Sequence, residues 1–170
     1  MKKISSMFLV MMLLLGACSE EDSTQWFDTK KEAIEYGLNS EVEDSTAKTE
    51  LLSTKEVEGE TLVFYSRDGS LWVASITKGE KGYSWYRSSP GHGFEGESNF
   101  TTVGFDYITE SGLKVPILAG KAYDYTIEKI LLSGDGPQRE LSISKDSRLF
   151  YAIHDGDFVN LEVNPVMSGE

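Results

Sequence analysis

The chain of 170 residues has one cysteine, Cys18, and two histidines, His92 and His154. A single thiol rules out a disulfide framework within the chain. Two imidazoles, 62 residues apart, are a thin supply for acid–base or metal chemistry. Basic side chains are also few, with 16 Lys and Arg against 28 Asp and Glu and a formal net charge of −12. A nucleic-acid binder needs a basic footprint to neutralise phosphates, so that class is excluded. What is present in quantity is aromatic: eight Phe, eight Tyr and three Trp. They supply enough burial for one folded domain and argue against a disordered chain.

The first residues carry an address. Lys2 and Lys3 precede an apolar run over residues 4–15, interrupted by Ser5 and Ser6. Twelve residues span about 18 Å as a helix, short of the roughly 30 Å hydrocarbon core. The run therefore reads as the h-region of a signal peptide. It ends in Leu15-Gly16-Ala17-Cys18, which resembles the lipobox of bacterial lipoproteins. That resemblance implies lipid attachment at Cys18 and cleavage in front of it; the alternative is ordinary secretory cleavage with Cys18 as an incidental thiol. Two acyl chains hold a protein on a bilayer where one alone binds only marginally. Residues 1–17 are thus expected to be signal, 18–25 an acidic tether, and 26–170 one β-rich extracytoplasmic domain. Cleavage leaves 14 basic against 28 acidic side chains, net −14. Anionic lipid repels such a body, so the expected membrane partner is reached through the lipid on Cys18.

The folded part reads as mainly strand. Thr29-Lys30-Lys31-Glu32 fits a capping box, with Phe27 and Ala33 placed as a hydrophobic staple. Ala33, Ile34, Gly37 and Leu38 follow at helical spacing, which predicts one short helix over 30–38. Residues 40–48 read as an acidic, mobile connection. Glu58-Gly59 and Asp68-Gly69 then separate β-rich runs at 51–57, 60–66 and 71–77, and a further turn leads into 83–88. The run Leu62-Val63-Phe64-Tyr65 is apolar on both parities, as in a strand covered on both faces. A four-strand meander is expected here. After a glycine-rich, flexible connection at 89–99, strands are expected at 100–108, 113–119, 125–132, 140–144, 149–154 and 158–163, with Asp155-Gly156 as a last hairpin turn. Ten short strands with turns every eight to twelve residues predict an antiparallel two-sheet sandwich or open barrel.

Three segments, Phe27 through Ile34, Gly82 through Pro90 and Arg148-Leu149-Phe150-Tyr151, together resemble the small uncharacterised lipoproteins of Bacillus-type Gram-positive bacteria. The resemblance covers most of the chain after the signal and implies the same membrane address. It brings no activity and no site residues with it.

Candidate chemistry is sparse. Gly91-His92-Gly93-Phe94-Glu95-Gly96 matches G-x-G-x-x-G, but a dinucleotide site needs a helix after it, and here a strand follows. Glu95 and Glu97 would repel phosphate as well. No HExxH, CxxC or EF-hand spacing occurs, and Asp155 and Asp157 beside Gly156 are explained by turn chemistry; weak calcium binding by acidic loops is the alternative. No serine sits in G-x-S-x-G, so a triad would have to assemble across loops around His92 or His154. No catalytic residue, metal ligand or cofactor is assigned. The ligand-binding candidates are Tyr83, Trp85 and Arg87, which alternation puts on one strand face and which belong to residue types enriched at binding hot spots. The competing reading makes Tyr83 and Trp85 core and Arg87 rim. The sequence thus points to a membrane-anchored lipoprotein with a non-catalytic binding or interaction role at the cell envelope, toward a protein or wall-polymer partner. An envelope hydrolase or other enzyme is the alternative, and oligomeric state is not readable.

Overall fold

The computed structural model describes residues 24–40, 47–134, 136–156 and 158–169. The expected signal, Cys18, most of the expected tether and most of the acidic connection after the helix therefore lie outside the described residues. Within them the chain is mainly β, with antiparallel sheets, one short helix and no closed barrel, as the sequence pattern requires. The strands divide among three sheets.

The first sheet contains β1 (Trp26–Phe27), β2 (Thr49–Val57), β3 (Glu60–Arg67), β4 (Ser70–Gly79) and β5 (Gly82–Tyr86), in the order β1-β5-β4-β3-β2. The expected meander is its body. Both central residues of each tight turn have positive φ, Glu58 at 48° and Gly59 at 89°, then Asp68 at 49° and Gly69 at 76°. This is the backbone that matches strand twist in a two-residue hairpin, and glycine at the second position adopts it without steric cost. The pairing of Trp26 with Ser84 and Phe27 with Tyr83 adds β1 to the sheet edge. Two residues are too few to carry a periodic signal in the sequence.

Helix α1 (Lys30–Ser40) lies on the outer face of this sheet. Its start is the predicted capping box: Thr29 N donates to Glu32 Oε2 at 3.0 Å, and Glu32 N donates to Thr29 Oγ1 at 3.2 Å. Ala33 is fully buried against Val63, Tyr65, Ala74 and Ile76. Gly37 lets the helix settle directly on Trp85, whose indole occupies the space a Cβ would need.

The second sheet, ordered β10-β7-β6, comprises β6 (Phe100–Ile108), β7 (Lys114–Ala122) and β10 (Leu149–Ile153). One face meets the first sheet through Tyr107, Val115, Ile117 and Ala119, packed on Leu62, Phe64, Leu71 and Val73. Its other face offers Leu118, Ala122 and Phe150 to the third sheet, where Ile127, Ile130 and Leu132 receive them. That sheet, ordered β11-β8-β9, comprises β8 (Ile127–Ser133), β9 (Arg139–Ser142) and β11 (Glu162–Met167). The helix and three sheets are therefore stacked in series, with apolar contact at each junction.

Three expectations are corrected. Asp155-Gly156 does not join a hairpin, because β10 pairs with β7 while β11 pairs with β8. A tight hairpin keeps its strands side by side at about 4.8 Å, whereas stacked sheets stand about 10 Å apart. The residues after β10 cross that larger gap. Phe158, expected to open the last strand, instead stacks on His154 at 5.0 Å between ring centroids and covers Gly104. The glycine-rich connection at 89–99 is also anchored: Leu71 N donates to His92 O at 2.9 Å, and His92 N donates to Leu71 O at 2.7 Å. Gly91 there lies against the Trp72 indole.

Two measurements check this packing. Gly120 sits in β7 beneath Phe150 and beside the Thr101 carbonyl, both of which an added Cβ would strike. Overpacking of this kind costs roughly 1–3 kcal/mol, or more where backbone cannot yield. Gly120→Ala should lower the denaturant midpoint accordingly, whereas Gly59→Ala, with open space around it, should show only the smaller strain of its positive φ. Tyr107 is fully buried and donates from Oη to Tyr86 O at 3.0 Å. Burial pushes its phenol up to about 12. Its neutral form thus stabilises the fold fully below the ordinary tyrosine range, and that contribution is lost as pH rises through the folded value. In phenolate absorbance titrations Tyr107 should ionise late, and Tyr107→Phe should remove that late step.

Candidate functional site

At one end of the stacked sheets, four chain segments enclose a cleft of about 390 Å³. The β3–β4 turn contributes Asp68 and Gly69, and the start of β2 brings Lys48 and Glu50. The end of β7 and the turn beyond supply Lys121, Tyr123 and Tyr125, while the β9–β10 turn supplies Asp146, Ser147 and Arg148. This volume lies within the range of small-molecule sites, and loop tips on a rigid sheet scaffold are where such sites concentrate.

Tyr125 is the most prominent group, with its side chain 80% exposed. It is held out by its surroundings. Tyr123 N and Asp124 N both donate to Asn99 O, at 2.8 and 3.0 Å. Asp124 Oδ1 accepts from Thr126 N at 2.8 Å and from Thr126 Oγ1 at 2.6 Å, and Ile127 N donates to Asp124 O. Tyr125 thus occupies a closed turn. Arg148 locks that turn from the other side, donating from Nη2 to Asp124 O at 3.0 Å and Ile127 O at 2.8 Å. Its guanidinium carbon lies 5.1 Å from the Tyr125 ring centroid, a cation–π contact. Arg148 itself has a positive φ of 60°, uncommon for a side-chain-bearing residue. The short turn from Ser144 holds it there, with Ser144 N donating to Leu149 O at 2.7 Å and Arg148 N donating to Ser144 O at 3.0 Å.

The remaining wall is polar and of both signs. Lys48 Nζ approaches Asp146 Oδ2 at 3.4 Å, and Lys48 N donates to Asp68 Oδ1 at 3.2 Å. Lys121 Nζ donates to Gly69 O at 3.4 Å. The Tyr123 Oη is shielded from solvent and meets no hydrogen-bond partner among the described residues. Burial and the Glu95 carboxylate hold the Tyr123 phenol above its ordinary value, so it stays a donor at neutral pH. Ammonium and hydroxyl donors and carboxylate acceptors therefore line one concavity beside a presented ring. This arrangement suits holding a ligand rich in hydroxyl groups.

The sequence-derived candidates do not gather around one pocket. Trp85 is half-buried between α1 and the first sheet, 5.8 Å from Tyr65, and its edge lines a pocket of about 250 Å³ with Phe27, Tyr36, Tyr86 and Glu110. Tyr83 is half-buried opposite Phe27, with Lys78 Nζ 5.9 Å from its ring centroid. Arg87 is exposed and lies over Trp72, 4.7 Å from its centroid. Neither histidine lines the cleft. The His92 ring stacks on Phe105 at 3.8 Å, and burial holds it below its ordinary pKa. His154 is fully buried, with Nδ1 2.9 Å from Arg139 Nη2. An arginine nitrogen can only donate, so Nδ1 accepts. Among the described residues no group of three or more His, Cys, Asp or Glu is placed to hold a metal ion, and no helix is long and apolar enough to cross a membrane. Cys18 and Asp157 lie outside the described residues.

Sequence reasoning missed the cleft because its residues come from four segments far apart in the chain. Tyr125 and Arg148 are 23 positions apart, and no local spacing links them. The part of it legible in the sequence was the Asp68-Gly69 turn, read as a hairpin and not as part of a site.

No protein-family model, curated protein or solved structure matches the chain.

The Asp124 turn gives a pH test. The Thr126 hydroxyl, then its amide, and the Arg148 charge hold the Asp124 carboxyl below the usual carboxylate range. A depressed folded value stabilises above the unfolded value, near about 3.9, and that stabilisation is lost as pH falls through the folded value. Asp124→Asn keeps an acceptor but cannot titrate. Its thermal midpoint should therefore fall less steeply than wild type below about pH 4; parallel curves would show that the turn carries no such coupling.

Proposed function

We propose that this protein is a lipid-anchored, extracytoplasmic lipoprotein that binds a component of the cell envelope without catalysis, through the cleft around Tyr125. The single observation carrying the binding role is a large aromatic side chain 80% exposed yet fixed by a closed turn and an arginine, beside a concavity lined by donors and acceptors. Exposing a tyrosine ring forgoes its burial, and ordering it in advance lowers the entropy cost of binding. The address rests on Lys2 and Lys3, the short apolar run and Leu15-Gly16-Ala17-Cys18. Palmitate-type acyl chains on Cys18 would hold a body of net charge −14 at a surface that otherwise repels it.

Both parts are open to direct measurement. In a bacterial host, mass analysis of the N-terminal peptide from the membrane fraction should find diacylglycerol on Cys18, and Cys18→Ala should leave unprocessed precursor or release the protein by a different cut. A free Cys18 thiol in the wild-type membrane fraction would refute the anchor. For the binding role, the full chain solubilised in mild detergent should co-sediment with isolated cell-wall fragments, and Tyr125→Ala should reduce the bound fraction several-fold. Wild-type protein remaining wholly in the supernatant would refute wall binding.

A further inference from the structure

The chemistry of the cleft also specifies a ligand class. We infer that it is a subsite for an uncharged pyranose chain, one sugar ring stacking on Tyr125 while its hydroxyls meet the polar wall. The inference rests on the binding role proposed above and names what that site takes.

The argument begins with the two faces of the Tyr125 ring. Arg148 lies over the ring, 5.1 Å from its centroid, yet the side chain is 80% exposed, so the face away from the guanidinium is open. A pyranose presents a patch of C–H groups of comparable width, and a flat, fixed ring is its natural apolar partner. Arg148 is not free to swing away and take an anion, because Asp124 O and Ile127 O hold its Nη2. Its place is that of a clamp behind the platform.

Charge decides between sugar classes. Lys48, Lys121 and Arg148 on the wall are matched by Glu50, Asp68 and Asp146, and Lys48 already lies 3.4 Å from Asp146. A phosphate- or carboxylate-bearing polymer would meet three carboxylates in the cleft and a strongly acidic body around it. A hydroxyl both donates and accepts, so a neutral sugar can satisfy ammonium and carboxylate groups together. An extended peptide would bring as many donors and acceptors, but the edge strand β2 meets this cleft only at its very start, through Lys48 and Glu50, too short a run of backbone to register a peptide. The four segments present turns and side chains instead.

The test uses the full chain in detergent and two uncharged probes, a β-1,4-linked N-acetylglucosamine tetramer and a β-1,4-linked glucose tetramer, followed by calorimetry and by chemical-shift changes in the protein. Saturable binding of at least one probe is expected, with shifts centred on Tyr123, Tyr125 and Ser147. Tyr125→Ala should weaken it about tenfold or more, while Tyr125→Phe, which keeps the ring, should stay within about twofold of wild type. Tyr36→Ala, which alters an exposed tyrosine outside the cleft, should bind as wild type and show that loss at Tyr125 is local. Circular dichroism of each variant separates lost binding from lost fold. Absence of saturable binding by both tetramers, or equal binding by Tyr125→Ala and wild type, would overturn the assignment. The two readings fail separately. If wall fragments retain the protein in a Tyr125-dependent manner but neither tetramer binds, the sugar class is wrong and envelope binding stands. If wall fragments do not retain it either, the envelope-binding role falls with it.

Discussion

The whole molecule depends on two strands that have no solvent face. In β3, residues 60 through 66 are all buried, and in β7 both parities turn inward, Val115, Ile117 and Ala119 to one side and Leu118, Gly120 and Ala122 to the other. A sheet covered on one side needs apolar residues at alternate positions only; a sheet covered on both needs them at nearly every position. These two strands therefore set the layering. β3 lies between the helix and the middle sheet, and β7 lies between the first and third sheets. Some polar side chains in the interior are tied off, as when Ser84 Oγ donates to Glu110 Oε2 at 2.6 Å and Tyr107 Oη donates to Tyr86 O.

Close approach between the layers then selects small residues. Gly37 meets Trp85 at the helix–sheet junction, Gly104 meets Phe158, and Gly120 meets Phe150. In each case an aromatic ring fills the volume that a side chain would have taken, so ring and glycine work as one packing unit. The same economy explains why so many aromatic residues occur in a chain of this length: stacked sheets are filled efficiently by flat rings. Tyr151 stacks on Phe64 at 4.5 Å between centroids while its hydroxyl donates to Ser53 Oγ at 2.9 Å, joining the middle sheet to the edge of the first.

The cleft follows from this construction. Rigid layers end in turns and strand ends, and at one end four such segments converge around Tyr125 and Arg148. The charge there is balanced although the chain as a whole is strongly acidic, because Lys48, Lys121 and Arg148 are brought to the same end by strands far apart in sequence. A proposed tether at residues 18–25 would keep such a domain within a few nanometres of the bilayer, since each extended residue spans at most about 3.6 Å.

Local chemistry was legible in the sequence where one segment contains both cause and effect. Thr29 and Glu32 define the helix start, the glycines at 59 and 69 define tight turns, and the apolar run at 62–65 declares a strand buried on both faces. The expectation of a signal ending before Cys18 likewise rests on consecutive residues. Tertiary structure decided what depends on which strands become neighbours. It moved Phe158 out of a strand and onto Gly104, because residues after Asp155-Gly156 must cross between sheets. It turned Trp85 toward α1, because only there does Gly37 leave room for an indole. It also assembled Tyr125 and Arg148 into one wall, since two residues 23 positions apart meet only after β8 and β9 have paired in the third sheet and β10 has joined the second.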